Sequence, residues 1–199
     1  MKKTIFAEKI FYYEDVLIDP DSLIDLIEKT DEGLTNSDSI GKWHSWVTSG
    51  DGPQKVFGFQ KNTDELKLNT SSEPVKHIYD SVKSALSKIG KDYSTHWGIE
   101  YQDPTPITIS KYNTGAEMGP HVDHYGDPRY IPLMSAVLYL NDDMEGGELN
   151  FPNQGINIKP KAGSAIIFPS VEPFVHESYE VTRGQKYIVP AFWIKKQDI

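Results

Sequence analysis

The strongest periodic signal in the chain lies between residues 71 and 90. Val75, Ile78, Tyr79, Val82, Leu86 and Ile89 recur at three- and four-residue spacing, the pattern of a helix with one apolar face. Ser71 or Ser72 can cap its start, and Gly90 stands where a left-handed C-terminal residue is expected. A shorter helix is predicted from Asp19 and Pro20, a cap and a first helical position, through Leu23, Ile24 and Ile27 to about Thr30. Between the two, residues 31–69 are rich in Gly, Ser, Asp and Lys around the runs 43–47 and 56–59, which predicts strands and loops that could serve as a lid. From about Pro106 the period changes from helical to two. Apolar or alternating runs at 107–112, 133–140, 148–151, 156–158, 165–168, 174–179 and 187–194 follow one another. Turn residues at 113–115, 141–147, 152–155, 160–163 and 182–184 separate them, and such punctuated short strands predict an antiparallel sandwich or jelly roll.

Composition narrows the class. A chain of 199 residues with 38% hydrophobic and 12% aromatic positions can bury a core as one domain. The expected division is an N-terminal helical and lid region over 1–105 and a β core over 106–199. The formal net charge of −9 argues against nucleic acid or an anionic membrane as the main partner. With no cysteine, disulfides, thiolate catalysis and Cys-ligated metal sites are excluded, and a reducing compartment fits. The apolar run after the first basic residues stops at Glu8 and Lys9, too short for a secretory leader, and no stretch has the length of a membrane span. A cytoplasmic location is therefore expected.

The candidate chemistry begins with His121-Val122-Asp123. In a strand, residues two apart project from one face, so this imidazole and carboxylate can grip one metal ion while Val122 points away. A second imidazole from a distant strand would complete a two-His, one-carboxylate set, and His176 lies in the later run 174–179. Lys186, at the opening of the last run, could bind the far carboxylate of an acidic cosubstrate held on that metal. His124 alternates to the opposite face, and His44, His77 and His96 have no partner spacing. Arg129 and Arg183 are the two arginines of the chain.

Taken in order, Tyr112, His121-x-Asp123, the run 135–141, the turn 146–149, His176 and the stretch 181–186 resemble the iron(II)/2-oxoglutarate-dependent dioxygenases. The similarity is greatest to the prolyl 4-hydroxylase-like and PKHD-type hydroxylases, over about 107–194. It implies a double-stranded β-helix buttressed by the N-terminal α-helices, with His121, Asp123 and His176 as catalytic iron(II) ligands. It also implies 2-oxoglutarate as cosubstrate, held through Lys186, with O2 as oxidant and ascorbate as reductant. PKHD-type proteins usually carry an arginine at the position of Lys186, whereas collagen-type prolyl hydroxylases carry lysine. Tyr112 and Tyr139 fall where family members place hydroxyls that hold the cosubstrate. Trp193 resembles an aromatic behind the metal site and equally suits core packing, Gly146 and Gly147 resemble a tight turn, and Arg129 resembles an arginine facing substrate, with a surface turn cation as the alternative. The implied reaction is hydroxylation of an unactivated C–H bond, with a prolyl residue of a peptide or protein as the first substrate class. A free amino acid or small metabolite is the alternative, and a non-catalytic cupin-like metal module the reading from another class.

Overall fold

The computed structural model describes residues 1–33, 43–46, 60–68, 73–102, 104, 107–124 and 132–195. In chain order the elements are β1 (Lys2–Phe6), β2 (Ile10–Glu14), α1 (Pro20–Gly33), β3 (Trp43–Trp46), β4 (Gln60–Lys67), α2 (Glu73–Trp97) and β5 (Tyr101–Gln102). They continue with β6 (Thr108–His121), β7 (Pro132–Tyr139), β8 (Glu145–Gly146), β9 (Leu149–Phe151), β10 (Ile156–Ile158), β11 (Ala165–Pro169), β12 (His176–Ser178), β13 (Val181–Arg183) and β14 (Lys186–Lys195). The main sheet runs β1-β2-β11-β7-β14-β6-β12-β9-β10 with every neighbouring pair antiparallel, and it forms the expected double-stranded β-helix.

Strand alternation divides the sheet into two faces. Tyr187, Val189, Ala191 and Trp193 of β14 and Met134, Ala136 and Leu138 of β7 bury against Val75, Ile78, Val82, Leu86 and Ile89 of α2 and Leu23 and Ile27 of α1. Tyr112, Tyr139, Leu149, Phe151, Phe168 and Ile188 form a second cluster inside the β-helix. The helices thus cover one face of the sheet, and the other face is free to build a site. Each apolar side chain so buried contributes about 1.5–3 kcal/mol of transfer free energy.

The structure corrects three local expectations. The helix α2 does not stop at Gly90 but continues to Trp97. Gly98 ends it instead: it has φ 64°, and Ile99 N donates to Ser94 O at 3.0 Å, the six-to-one bond of a Schellman cap. Gly90 is a glycine because Trp193 lies against it. A Cβ built there would stand 2.6 Å from the indole Nε1, which is buried with no hydrogen-bond partner among the described residues. Gly90→Ala should therefore destabilise the protein by about 1–3 kcal/mol through overpacking, although helix propensity alone predicts a gain of about 1 kcal/mol. Denaturant midpoints of the two proteins decide between these signs, and a more stable alanine variant would refute the packing argument.

The other two corrections concern strands. Residues 113–115 do not form a turn: β6 runs through them to His121, and its ladder with β4 shifts register between Lys61 and Thr63. Cross-strand bonds offset the local turn preference there, with the Asn113 amide donating to Asp64 at 2.8 Å and Gln185 donating to Asn113 at 2.9 Å. The chain also opens with a hairpin that the helical reading of 1–105 left out. Ala7 and Glu8 both have positive φ, and β2 then pairs with β11 and extends the main sheet. Within the stretch 31–69, residues 43–46 and 60–67 are the strands β3 and β4, joined to the main sheet through β6, while Ser71, Ser72 and the runs 56–59 and 125–131 lie outside the described residues.

Candidate metal and cosubstrate site

The long strand β6 ends at His121, and β12 begins at His176, its register partner across the antiparallel pair. The two imidazole centroids are 4.3 Å apart. Asp123 lies just past the strand end, in a bend, yet its carboxylate still turns to the same side as His121. Its Oδ1 stands 3.5 Å from His121 Nε2 and its Oδ2 3.6 Å from His176 Nε2. All three donors lie within 4.8 Å of one another, so a single small ion could touch all of them.

Hydrogen bonding prepares the imidazoles for ligation. His121 Nδ1 is 2.8 Å from Gly119 O, and His176 Nδ1 is 3.2 Å from Phe174 O. A carbonyl only accepts, so each Nδ1 carries the hydrogen and each Nε2 presents its lone pair to the shared space. Burial favours the neutral form of His121, but the adjacent Asp123 carboxylate outweighs it and holds that imidazole above its ordinary value. For His176 burial wins and pushes the value down. Burial would raise Asp123, but the His121 bond, the fields of both imidazoles and the Ser135 hydroxyl hold it below the usual carboxylate range. Ser135 is itself buried and bonded to Ser170 Oγ at 2.7 Å. Once a metal displaces the proton that Asp123 favours on His121 Nε2, two imidazoles and one ionised carboxylate on one side make an N2O set that suits a non-haem iron(II) ion and leaves coordination positions open.

The site opens on a cavity of about 180 Å³ inside the β-helix, lined among others by Met118, Val137, Tyr139, Phe168, Ser178 and Lys186. Lys186 is 2% exposed, at the start of β14 and in register with Tyr112. Its ammonium donates to Gly147 O at 2.9 Å and to Ser178 Oγ, and lies 4.4 Å from the centroid of the Tyr112 ring. Burial pushes it down to about 7, while Glu148 pulls the other way. Tyr139 is also buried, and its hydroxyl has no hydrogen-bond partner among the described residues. A buried cation with no bonded carboxylate among the described residues, lining one cavity with an unsatisfied hydroxyl, is the arrangement that a bound carboxylate would complete. On this donor set and these polar groups the residues fit both iron(II) and a dicarboxylate cosubstrate.

The structure brings together His121, Asp123, His176, Lys186, Tyr112 and Tyr139. Tyr112 enters by its ring face, because its hydroxyl donates to Met118 Sδ at 3.7 Å. Trp193 does not stand behind the metal cluster; it is in the core against α2, and Phe192, its neighbour on the opposite face, lines the cavity. Arg129 lies outside the described residues. Arg183 pairs with Glu145 on the surface at 2.5 Å, away from Lys186. Among the cavity residues that sequence reasoning missed are Ser178 and Phe192. Both follow from the period of two, as Ser178 is two residues from His176 and Phe192 six from Lys186.

An antiparallel β-helix whose neighbouring strands carry two imidazoles and a carboxylate to one inner site defines the oxygenase class of this fold. Residues 107–195 match the model of the 2OG-Fe(II) oxygenase superfamily. The chain is 31% identical to a probable prolyl 4-hydroxylase of Arabidopsis thaliana over 119 residues, 46% of this chain and 41% of that protein. It is 31% identical to a PKHD-type hydroxylase of Rippkaea orientalis over 142 residues, 68% of this chain and 60% of that one. The matches thus span less than two thirds of these relatives' lengths. Among solved structures, a Pseudomonas putida prolyl-4-hydroxylase superposes with TM-score 0.67 at 18% identity, over 94% of this chain and 93% of that one. A Trichoplax adhaerens prolyl hydroxylase in complex with a hypoxia inducible factor peptide fragment gives 0.70 at 12% identity, over 95% and 84%. At these identities the structural likeness establishes the fold. No helix among the described residues is long and apolar enough to cross a membrane.

Proposed function

We propose that the chain is an iron(II)- and 2-oxoglutarate-dependent dioxygenase that hydroxylates a prolyl residue in a peptide or protein. One observation carries the reading: the three converging donors share a cavity with a buried lysine and an unpartnered tyrosine hydroxyl. His121, Asp123 and His176 would hold the metal through Nε2, a carboxylate oxygen and Nε2. Lys186 would hold the distal carboxylate of the cosubstrate, with the Tyr139 hydroxyl as a second donor. When bound, iron(II) activates O2 for oxidative decarboxylation of 2-oxoglutarate to succinate and CO2, coupled to hydroxylation of a C–H bond.

The protein's own groups set the conditions for this reaction. The Nδ1 bonds to Gly119 and Phe174 fix the ring orientations, so the donor set is formed before the metal arrives. Phe168 and Phe151 pack on His176 at centroid distances of 4.6 and 5.7 Å and keep water from that side of the ring. Met118, Val137 and Phe168 make the walls apolar, which strengthens the attraction between Lys186 and a carboxylate. The peptide substrate class is supported by the prolyl hydroxylase relatives, and ascorbate is the reductant to include in assays. We read residues 106–199 as the catalytic core, residues 1–105 as its buttress, and the cytoplasm as its compartment.

The test is succinate formation from 2-oxoglutarate with iron(II) and ascorbate, with and without proline-rich peptides, together with peptide mass. Peptide-stimulated succinate and a gain of one oxygen per turnover are expected. Turnover that no peptide stimulates would move the substrate to a free amino acid or small metabolite. No succinate under any condition would favour the non-catalytic metal module and overturn the enzyme reading.

A further inference from the structure

We propose that Gly147 and Ser178 form a socket that makes residue 186 a lysine-specific carboxylate anchor. The inference rests on the reading above and adds two positioning residues to it. A lysine ammonium has three N–H donors and no acceptor. Here the Gly147 carbonyl takes one at 2.9 Å and the Ser178 hydroxyl takes another, which leaves one for a ligand. The ring face of Tyr112 at 4.4 Å adds a further attraction and restricts where the ammonium can move. These contacts come from three elements, β6, β12 and the turn after β8, and all but the ligand direction are supplied by the protein.

The stem of the lysine is accommodated as closely as its head. Gly147 has φ 72°, a backbone conformation that disfavours any side chain, and its turn is held by Gly147 N donating to Glu180 O at 3.0 Å. A Cβ at this position would lie 3.1 Å from Lys186 Cδ and 3.2 Å from Val181 Cγ2. The missing side chain is what lets the lysine pass. Ser178 is buried and lies two residues from His176 on β12, so strand alternation puts its hydroxyl on the cavity side, where it meets the ammonium. A hydroxyl both donates and accepts, so Ser178 keeps a bond to this nitrogen whether it is an ammonium or a neutral amine.

The socket separates lysine from arginine on physical grounds. A guanidinium is planar and wider from the fifth side-chain atom onward, and its donors form a fork instead of a point. Between Gly147 and Ser178 that plane has no room, and the fork cannot satisfy two acceptors placed around a compact ammonium. A chain that anchors with arginine needs a different partner than Ser178 and a different path past the glycine.

The experiment is equilibrium titration of the metal-loaded protein with 2-oxoglutarate, joined to steady-state kinetics. Ser178→Ala should weaken 2-oxoglutarate binding about tenfold by leaving a donor unmatched, raising KM for 2-oxoglutarate by more than it lowers kcat. Ser178→Thr, which keeps the hydroxyl, should bind within a few-fold of the natural protein. Lys186→Arg should bind far more weakly despite its charge, and Lys186→Arg combined with Ser178→Gly should recover part of the loss by making space. Natural-strength binding by Ser178→Ala or by Lys186→Arg would overturn the socket while leaving the dioxygenase reading intact. If the natural protein itself fails to bind 2-oxoglutarate, both fall together. Circular dichroism of each variant separates a lost socket from a lost fold, and a misfolded alanine variant leaves the decision to the arginine pair.

Discussion

Replacing His176 with alanine should abolish iron(II) retention and 2-oxoglutarate turnover while the fold survives. The three candidate ligands lie within 4.8 Å of one another and come from two strands and a bend, so no neighbouring donor among the described residues can take the place of the lost imidazole. Loss of an outer-shell partner already costs about 10–100-fold in metal affinity or activity, and loss of a ligand should exceed that range. The His176 ring is 5% exposed and rests on Phe168 and Phe151, so its removal leaves a small void beside two aromatic rings. That void should cost on the order of 1–3 kcal/mol, a loss the β-helix can absorb. Iron content after equilibrium dialysis, with circular dichroism on the same sample, separates the two effects. A variant that keeps near-natural iron would remove His176 from the ligand set.

Lys186→Met carries the second large effect, and it has two opposite signs. Cosubstrate affinity should fall at least about 100-fold, because a buried charge-assisted bond is lost and the remaining hydroxyl of Tyr139 has nothing cationic beside it. Stability without ligand should rise. Burial lowers Lys186 from its ordinary 10.5 to about 7, so between these two values the unfolded chain binds more protons than the folded one. Stability of the natural protein therefore increases with pH across that window, and below about 7 the full penalty of the buried ammonium is present. An apolar side chain of similar volume removes the penalty, a change of about 1–4 kcal/mol at pH 6 that shrinks toward pH 10. Thermal midpoints of the unliganded proteins at pH 6 and pH 9 should show the methionine variant ahead at pH 6 and its lead clearly smaller at pH 9. A lower midpoint at pH 6 would refute the argument. The same protonation makes 2-oxoglutarate affinity of the natural protein fall as pH rises above about 7, by up to about tenfold per unit.

Local pattern carried much of this protein. Apolar spacing located α2, and alternation located the runs that became β7, β9, β10, β11, β12 and β14. The triplet His121-Val122-Asp123 announced two donors on one side even though Asp123 lies beyond the end of its strand. Local pattern was misleading where a cross-strand or interelement contact opposed it. Asn113, Thr114 and Gly115 are turn residues that hydrogen bonds to β4 and to Gln185 hold in a strand. Gly90 has the identity of a helix stop, yet its place in the chain is set by the indole of a residue 103 positions away.

The sequence by itself determined which residue types could act, because period and spacing are properties of neighbours along the chain. It determined that His121 and Asp123 can share a side, that Lys186, Ile188, Pro190 and Phe192 form one row and Tyr187, Val189, Ala191 and Trp193 the other. Only the tertiary structure decided which row faces the site. Alternation is symmetric between the two faces of a sheet, and the choice is made by the helices: α2 covers the row that ends in Trp193, which leaves Phe192 and Lys186 to the cavity. The structure likewise decided that His176 meets His121, since register between strands 55 residues apart depends on long-range pairing that no local window contains. The socket around Lys186 is of the same kind, made of a turn, a short strand and a strand start that become neighbours only when the sheet has curled.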